Sequence, residues 1–376
     1  MSTRGVLELP VPEPSLGSEA YRRERELALA YSPKRRENYE RYLRARRGEA
    51  LDYLPIKLDI ENVSRCNFRC TMCVVSEWPK GQRAGDLAYA DFAALIDEQY
   101  GLLEIKLQGI GEPLMQGDEY IEMIRYARAQ HIWVRTTTNA SLLHLKDNYR
   151  KLIDSGVNEV QISIDGADAE TFQAIRRGSR FAKVAENCKR INAYCDEVGR
   201  WPTKMWIVVQ RGNWHQLPQF VDLAGELGFR SQVFSLNLSD WGLDEWSLRN
   251  GAASVLGELD PERLFALIGQ GERRGVQVRF WRVLNKYTTA GPAKLCPWPF
   301  ERAYVSSDLR VVPCCFVGDP DVYEIGKGLR EAGSFTAIWN GPEFQAFRQA
   351  HLEGRIPKVC QGCYARGTDQ EPTQTG

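Results

Sequence analysis

The stretch 64–74, SRCNFRCTMCV, sets Cys66, Cys70 and Cys73 at C-x3-C-x2-C spacing. Cubane iron–sulfur clusters are held by cysteine thiolates, and three thiolates this close can hold three corners of one. A fourth would close the site. Leaving one iron without a protein ligand is useful only if something else binds there, just as a catalytic metal keeps one position open and a structural one does not. The bland alternatives are a zinc site short of one ligand and a chance grouping, and in a chain with ten cysteines chance is a poor account of this spacing.

A chain of 376 residues is long for one core and predicts a main domain with appendages. Lys plus Arg and Asp plus Glu both number 49, so the charge balance gives no argument for nucleic-acid or membrane binding. No run of about 18 apolar residues is present to span a bilayer, and the opening MSTRGVLELPVPEP lacks an apolar signal core. These features predict a cytoplasmic protein with neither nucleic acid nor membrane as partner. In a reducing compartment its cysteines serve as metal ligands or catalytic groups rather than disulfides.

Residues 1–54 read as a helical N-terminal extension. A Pro-rich irregular stretch, 7–17, precedes two Arg-rich helices broken at Ser32-Pro33. The extension is expected to wrap the main domain through Tyr31, Tyr39 and Tyr42. From residue 55, strands at 56–62, 102–109, 132–139, 157–165, 203–210 and 230–237 alternate with helices at 89–100, 118–130, 146–155, 170–177, 181–198, 217–227 and 261–274. An edge strand follows at 276–283. This alternation predicts an α/β fold with a parallel sheet. In α/β barrels the active end is formed by loops after the strands' C-terminal ends, and the cysteine loop follows the first strand.

A C-x3-C-x2-C loop directly after a strand resembles the signature of the radical S-adenosylmethionine (radical SAM) superfamily. The resemblance implies a partial (β/α)6 radical SAM barrel over 55–285. It implies that the open iron chelates the amino and carboxylate groups of SAM. An electron, from a reductant protein such as flavodoxin or ferredoxin, then cleaves SAM to a 5′-deoxyadenosyl radical that abstracts a substrate hydrogen. Met72 stands where an aromatic residue is frequent, and its thioether can pack on adenine. QGIGEPLM, 108–115, resembles the Gly-Gly-Glu element, with Ile110 in place of a glycine. By that likeness Gly109, Gly111 and Glu112 face the SAM amino group. Thr138 and Asn139 stand in Thr-Asn-Ala, where Thr-Asn-Gly is usual, and read equally as a turn and cap. Ser-Ile-Asp-Gly at 163–166 implies a SAM contact for Ser163. Arg176 or Arg177 would reach the SAM carboxylate, as suits guanidinium geometry, with Asp165 capping the next turn as an alternative. Gln210, Asn213, Asn237, Asp240 and Arg279 are candidates for the remaining cofactor and substrate contacts.

Past residue 285, Cys296 and Cys314 flank a hairpin turning at 306–309, a mostly helical stretch covers 334–354, and C-x2-C follows at Cys360 and Cys363. Four such cysteines form a closed zinc or iron–sulfur site. The likeness to SPASM/twitch domains implies iron–sulfur: one auxiliary [4Fe-4S] cluster on Cys296, Cys314, Cys360 and Cys363, in a small domain over 286–376. Cys188 and Cys195, seven apart on one helix face, read as buried structure. Cys315 is left as a substitute ligand or a catalytic hydrogen-atom donor. Taken together, the resemblance implies oxidation or epimerisation of a sugar- or aminocyclitol-type small molecule, as in antibiotic biosynthesis. The alternatives are a peptide or protein maturase and a non-catalytic metal scaffold.

Overall fold

The structure is a computed structural model that describes residues 19–48, 50–79, 81–83 and 85–365. The Pro-rich stretch 7–17 lies outside the described residues. Seven strands pair in parallel and in chain order: β1 Lys57–Ile60, β2 Glu104–Leu107, β3 Trp133–Thr138, β4 Glu159–Ser163, β5 Thr203–Val208, β6 Ser231–Ser235 and β7 Gln277–Trp281. A helix lies in each crossover, as parallel pairing requires. Helices Phe181–Val198 and Pro261–Arg274 begin and end where the sequence places them. Each stops at a glycine with φ 69° (Gly199, Gly275), the left-handed C-cap. One helix, Asp244–Ala253, has no counterpart in the sequence reading. It carries Gly251 and buries only Trp246 and Asn250.

Alternate residues of each strand face opposite ways. Leu58, Ile60, Ile105, Leu107, Val134 and Ile162 are fully buried in the main apolar core. The other face is charged. Glu104 meets Arg135 at 2.7 Å, Glu159 meets Lys204 at 2.8 Å, and Lys57 meets Glu301 at 3.4 Å. Such desolvated charges persist only when paired.

The C-terminal cysteine region does not stand apart from the main domain. Its hairpin, β8 Arg302–Val305 and β9 Val311–Val312, adds to the same sheet, with β8 parallel to β1 at the register Asp59 to Tyr304. Residues before β8, expected as strand, form a short helix, Trp298–Glu301, because Pro297 and Pro299 cannot donate to a ladder. Phe335, Trp339, Phe344 and Phe347 then pack into the main core.

The N-terminal helices, Glu19–Tyr31 and Pro33–Arg44, break as expected, with the Ser32 hydroxyl accepting from Arg35 N at 3.3 Å. Arg35, 2% exposed, donates to the Tyr100 carbonyl (3.0 Å) and the Gln130 carbonyl (2.6 Å). Tyr21 donates to Glu104 at 3.0 Å from beneath the sheet's charged face. Tyr39 and Tyr42 pack against buried Leu29, Ile56 and Leu103. Tyr31 does not pack as expected: it is 54% exposed, with an edge contact to His131 and the Arg35 guanidinium 5.6 Å from its ring centre. Among the described residues, no helix is long and apolar enough to cross a membrane.

Candidate active site

The cysteine loop leaves β1 and is pinned by two neighbours. Arg69–Cys70 forms a two-residue ribbon with Arg176–Arg177, beyond β4. Glu112 N donates to the Arg65 carbonyl at 3.0 Å. Cys66, Cys70 and Cys73 line a cavity of about 270 Å³ at the C-terminal ends of the strands, together with Met72, Gly109, Gly111, Glu112, Thr138, Asn139, Ser163, Arg176 and Cys315. The structure thus brings together every expected SAM-site residue except Gln210.

Gly109 and Gly111 are needed for packing as well as for any ligand. A Cβ on Gly109 would lie 2.0 Å from Glu61 Cγ, and one on Gly111 2.4 Å from the Val63 carbonyl. Glu112 is buried. It accepts from Asn139 N (2.7 Å), Thr138 Oγ1 (2.7 Å) and Leu114 N (3.4 Å). Burial outweighs these bonds and lifts its carboxyl to about 7. Asn139 Oδ1 accepts from Ser141 N at 2.9 Å, so the turn reading holds, and its Nδ2 lies 3.9 Å from Cys66 Sγ. Ala140 takes φ 61°, which explains why glycine is usual there. Arg176 is held by Asp165 at 2.6 Å and lies 3.9 Å from Cys70 Sγ. Asp165 is therefore a buried counter-ion and not a turn cap, and Arg177 is exposed.

The substrate candidates separate. Asn237 lines the cavity. Asn213 spends its amide on the Asp165 and Val208 carbonyls, both 3.0 Å away, and Gln210 is buried behind it, off the cavity wall. Asp240 lines a second, larger cavity of about 860 Å³ beside Gln361 and Gly362. Arg279 turns to Gln277. The sequence reading passed over Lys106, Gln161, Trp206, Trp241, Trp281 and Phe316, all on the cavity wall. The signal was the polar residue at every second position of β1, β2 and β4, which faces inward here.

All ten cysteines are free. Burial pushes the Cys66 thiol up to about 12, with Glu112 adding to it. For Cys73 burial comes first and the Cys70 charge second. In the C-terminal set, burial and then the Cys296 charge push Cys314 up to about 12. Cys360 is raised by burial and by Cys314, Cys296 and Cys363. Such thiols become thiolates only on a metal, and two all-sulfur sets suit iron–sulfur clusters. Among the described residues no three metal-ligating side chains converge on a single ion. Cysteines on a cubane bind separate irons. Cys188 and Cys195 are buried in their helix, as expected. Cys315, unlike Cys314, lines the 270 Å³ cavity.

Fold and donor sets define a parallel β/α protein with two groups of free cysteines. Residues 61–224 match the radical SAM superfamily, and residues 296–364 match the SPASM iron–sulfur cluster-binding domain. The chain is a radical SAM protein with a SPASM domain, and its cofactors are SAM, a [4Fe-4S] cluster and auxiliary iron–sulfur. It is 29% identical over 315 residues to the mycofactocin maturase MftC of Mycobacterium ulcerans, spanning 82% of this chain and 80% of that one. It is 26% identical over 327 residues to the PqqA peptide cyclase of Rhodopseudomonas palustris, at 84% and 81% coverage. In fold it resembles Streptococcus suis SuiB bound to its precursor peptide SuiA: TM-score 0.64, 16% identity, 96% of this chain and 83% of that one.

Proposed function

We propose that this radical SAM enzyme is a peptide-modifying maturase. The observation that carries this reading is the likeness to a maturase and a peptide cyclase along more than four-fifths of the chain, cysteine domain included. It displaces the sugar or aminocyclitol reading, which rested on the four-cysteine layout of the C-terminal region alone. Bound at the first centre, SAM supplies a carbon-centred radical able to abstract a substrate hydrogen. Glu112 and Arg176 orient its polar end. Trp206, Trp241, Trp281 and Phe316 keep water out, since apolar walls leave only the placed polar groups to fix a ligand. A cavity of about 270 Å³ is small even for one ligand, where such sites run from roughly 300 Å³ upward.

Two outcomes fit the cavity. Cys315 returns a hydrogen atom, giving epimerisation, or the second centre takes an electron, giving a crosslink or oxidised residue. The test is anaerobic reconstitution with SAM, a flavodoxin or ferredoxin reductant, and any short peptide found encoded beside the gene, with an aminocyclitol panel in parallel. The expected result is a changed peptide mass or one inverted residue. An untouched peptide beside an oxidised aminocyclitol would overturn the reading. Cys315→Ala, with both clusters intact, loses solvent deuterium incorporation only if Cys315 is the donor.

A further inference from the structure

The cations of the cavity wall are Arg176 and Lys106. Arg176 is neutralised by Asp165 at 2.6 Å. Lys106 has no ion pair or hydrogen bond among the described residues, although it sits in the most charged row of the sheet. Across that row Asp59, Lys106, Arg135 and Glu159 stand side by side. Both neighbours of Lys106 are engaged elsewhere: Asp59 leans toward Arg302 at 3.8 Å, and Arg135 is taken by Glu104 at 2.7 Å. The remaining inward lysines, Lys57 and Lys204, each hold a glutamate. Asp59 and Cys315 both lie within reach of its charge, but among the described residues no carboxylate comes within ion-pair distance, and a half-buried ammonium so placed is costly unless an anion completes it.

Its depth says whose anion that is. Lys106 precedes Gly109 by three residues, which places it about 10 Å further down the strand than the SAM-facing turn. Cys315 lines the same cavity from the C-terminal cysteine region. We propose that Lys106 is a carboxylate-binding residue that anchors an acidic group of the substrate, a side chain or chain terminus, below the SAM position. The inference rests on the maturase reading only for the kind of molecule that carries the carboxylate.

The test is the rate of reductive methylation of Lys106, read by mass spectrometry on anaerobic holoenzyme saturated with SAM. The probes are the pentapeptide acetyl-Ala-Ala-Asp-Ala-Ala-amide, its Asn counterpart and D-glucuronate, each at millimolar concentration. The expected result is that the Asp peptide slows methylation severalfold and the Asn peptide does not. Equal rates with every probe would overturn the proposal and leave Lys106 as a counter-charge for Asp59. Protection by SAM alone, with no further effect of the Asp peptide, would also overturn it, because the carboxylate would be SAM's own. Protection by glucuronate without protection by the Asp peptide would keep the anion site and sink the maturase reading. Lys106→Met should bind SAM as the parent does and weaken the Asp peptide about tenfold, or about 1.4 kcal/mol. Lys106→Arg should restore most of that affinity.

Discussion

Replacing Glu112 tests the SAM side of the cavity most directly. Its carboxyl sits at about 7 rather than 4.5 because burial outweighs three donated hydrogen bonds. At about 1.4 kcal/mol per decade, that displacement costs the folded protein about 3 kcal/mol once the group is ionised. The folded value lies above the unfolded one, so for this acid the contribution to stability is fully present below pH 4.5 and is lost as pH rises through about 7. An ammonium brought beside the carboxylate reverses the balance. SAM binding must then expel a proton below pH 7, and its affinity should fall about tenfold per pH unit there. Glu112→Gln removes the charge. Its amide can donate to Thr138 Oγ1, but only by leaving Leu114 N, the longest of the three bonds, without an acceptor. SAM should bind about 10- to 100-fold more weakly, the worth of a charge-assisted bond, and with no slope in pH. Equilibrium dialysis of labelled SAM against anaerobic holoenzyme, between about pH 5.5 and 8.5, measures both effects. A Glu112→Gln enzyme with parental affinity and the parental slope would refute the reasoning.

Cys70→Ala and Cys360→Ala should each lower iron from about eight to about four per chain, by cubane stoichiometry. Only Cys70→Ala should abolish 5′-deoxyadenosine formation, whereas Cys360→Ala should keep it and lose product. Glu61 accepts from Ile110 N (3.1 Å), Ser307 N (3.0 Å) and the Arg83 guanidinium. Glu61→Ala leaves the buried Arg83 with only the longer contacts to Asp308 (3.8 Å) and Asp319 (3.9 Å) and should cost about 1–3 kcal/mol, seen as faster thermal inactivation. Arg35→Met leaves the Tyr100 and Gln130 carbonyls unbonded. It should speed tryptic cleavage within 19–44 while sparing iron content.

The alternating elements were legible because each strand and helix carries its own period and its own stop signals. Helix Asp244–Ala253 was not, since it buries little and breaks its pattern at Gly251. Neither was the pairing of β1 with β8, because residues 57 and 302 meet through a register that no local stretch encodes. Spacing grouped the cysteines into an early set of three and a later set of four, but left zinc and iron–sulfur open for the later set, where only likeness to a known domain chose between them. Gln210 and Asn213 misled because a polar residue at a strand end reads the same whether it faces a ligand or, as Asn213 does, satisfies buried carbonyls. Lys106 escaped notice because a lysine within a strand normally signals a solvent-facing side, and only the assembled sheet turns it inward.

The parallel join of β8 to β1 bears on how this protein could be cut or evolved. A chain truncated after residue 285 would bare the backbone of β1, an open edge prone to recruiting other chains. The same ladder sets the strand that leads into the first cysteine loop beside the hairpin that leads to Cys314. The hairpin that leads to Cys314 and the strand that leads to Cys66 are thus laid down in one ladder, so the two cysteine regions assemble together and not as separately folding modules.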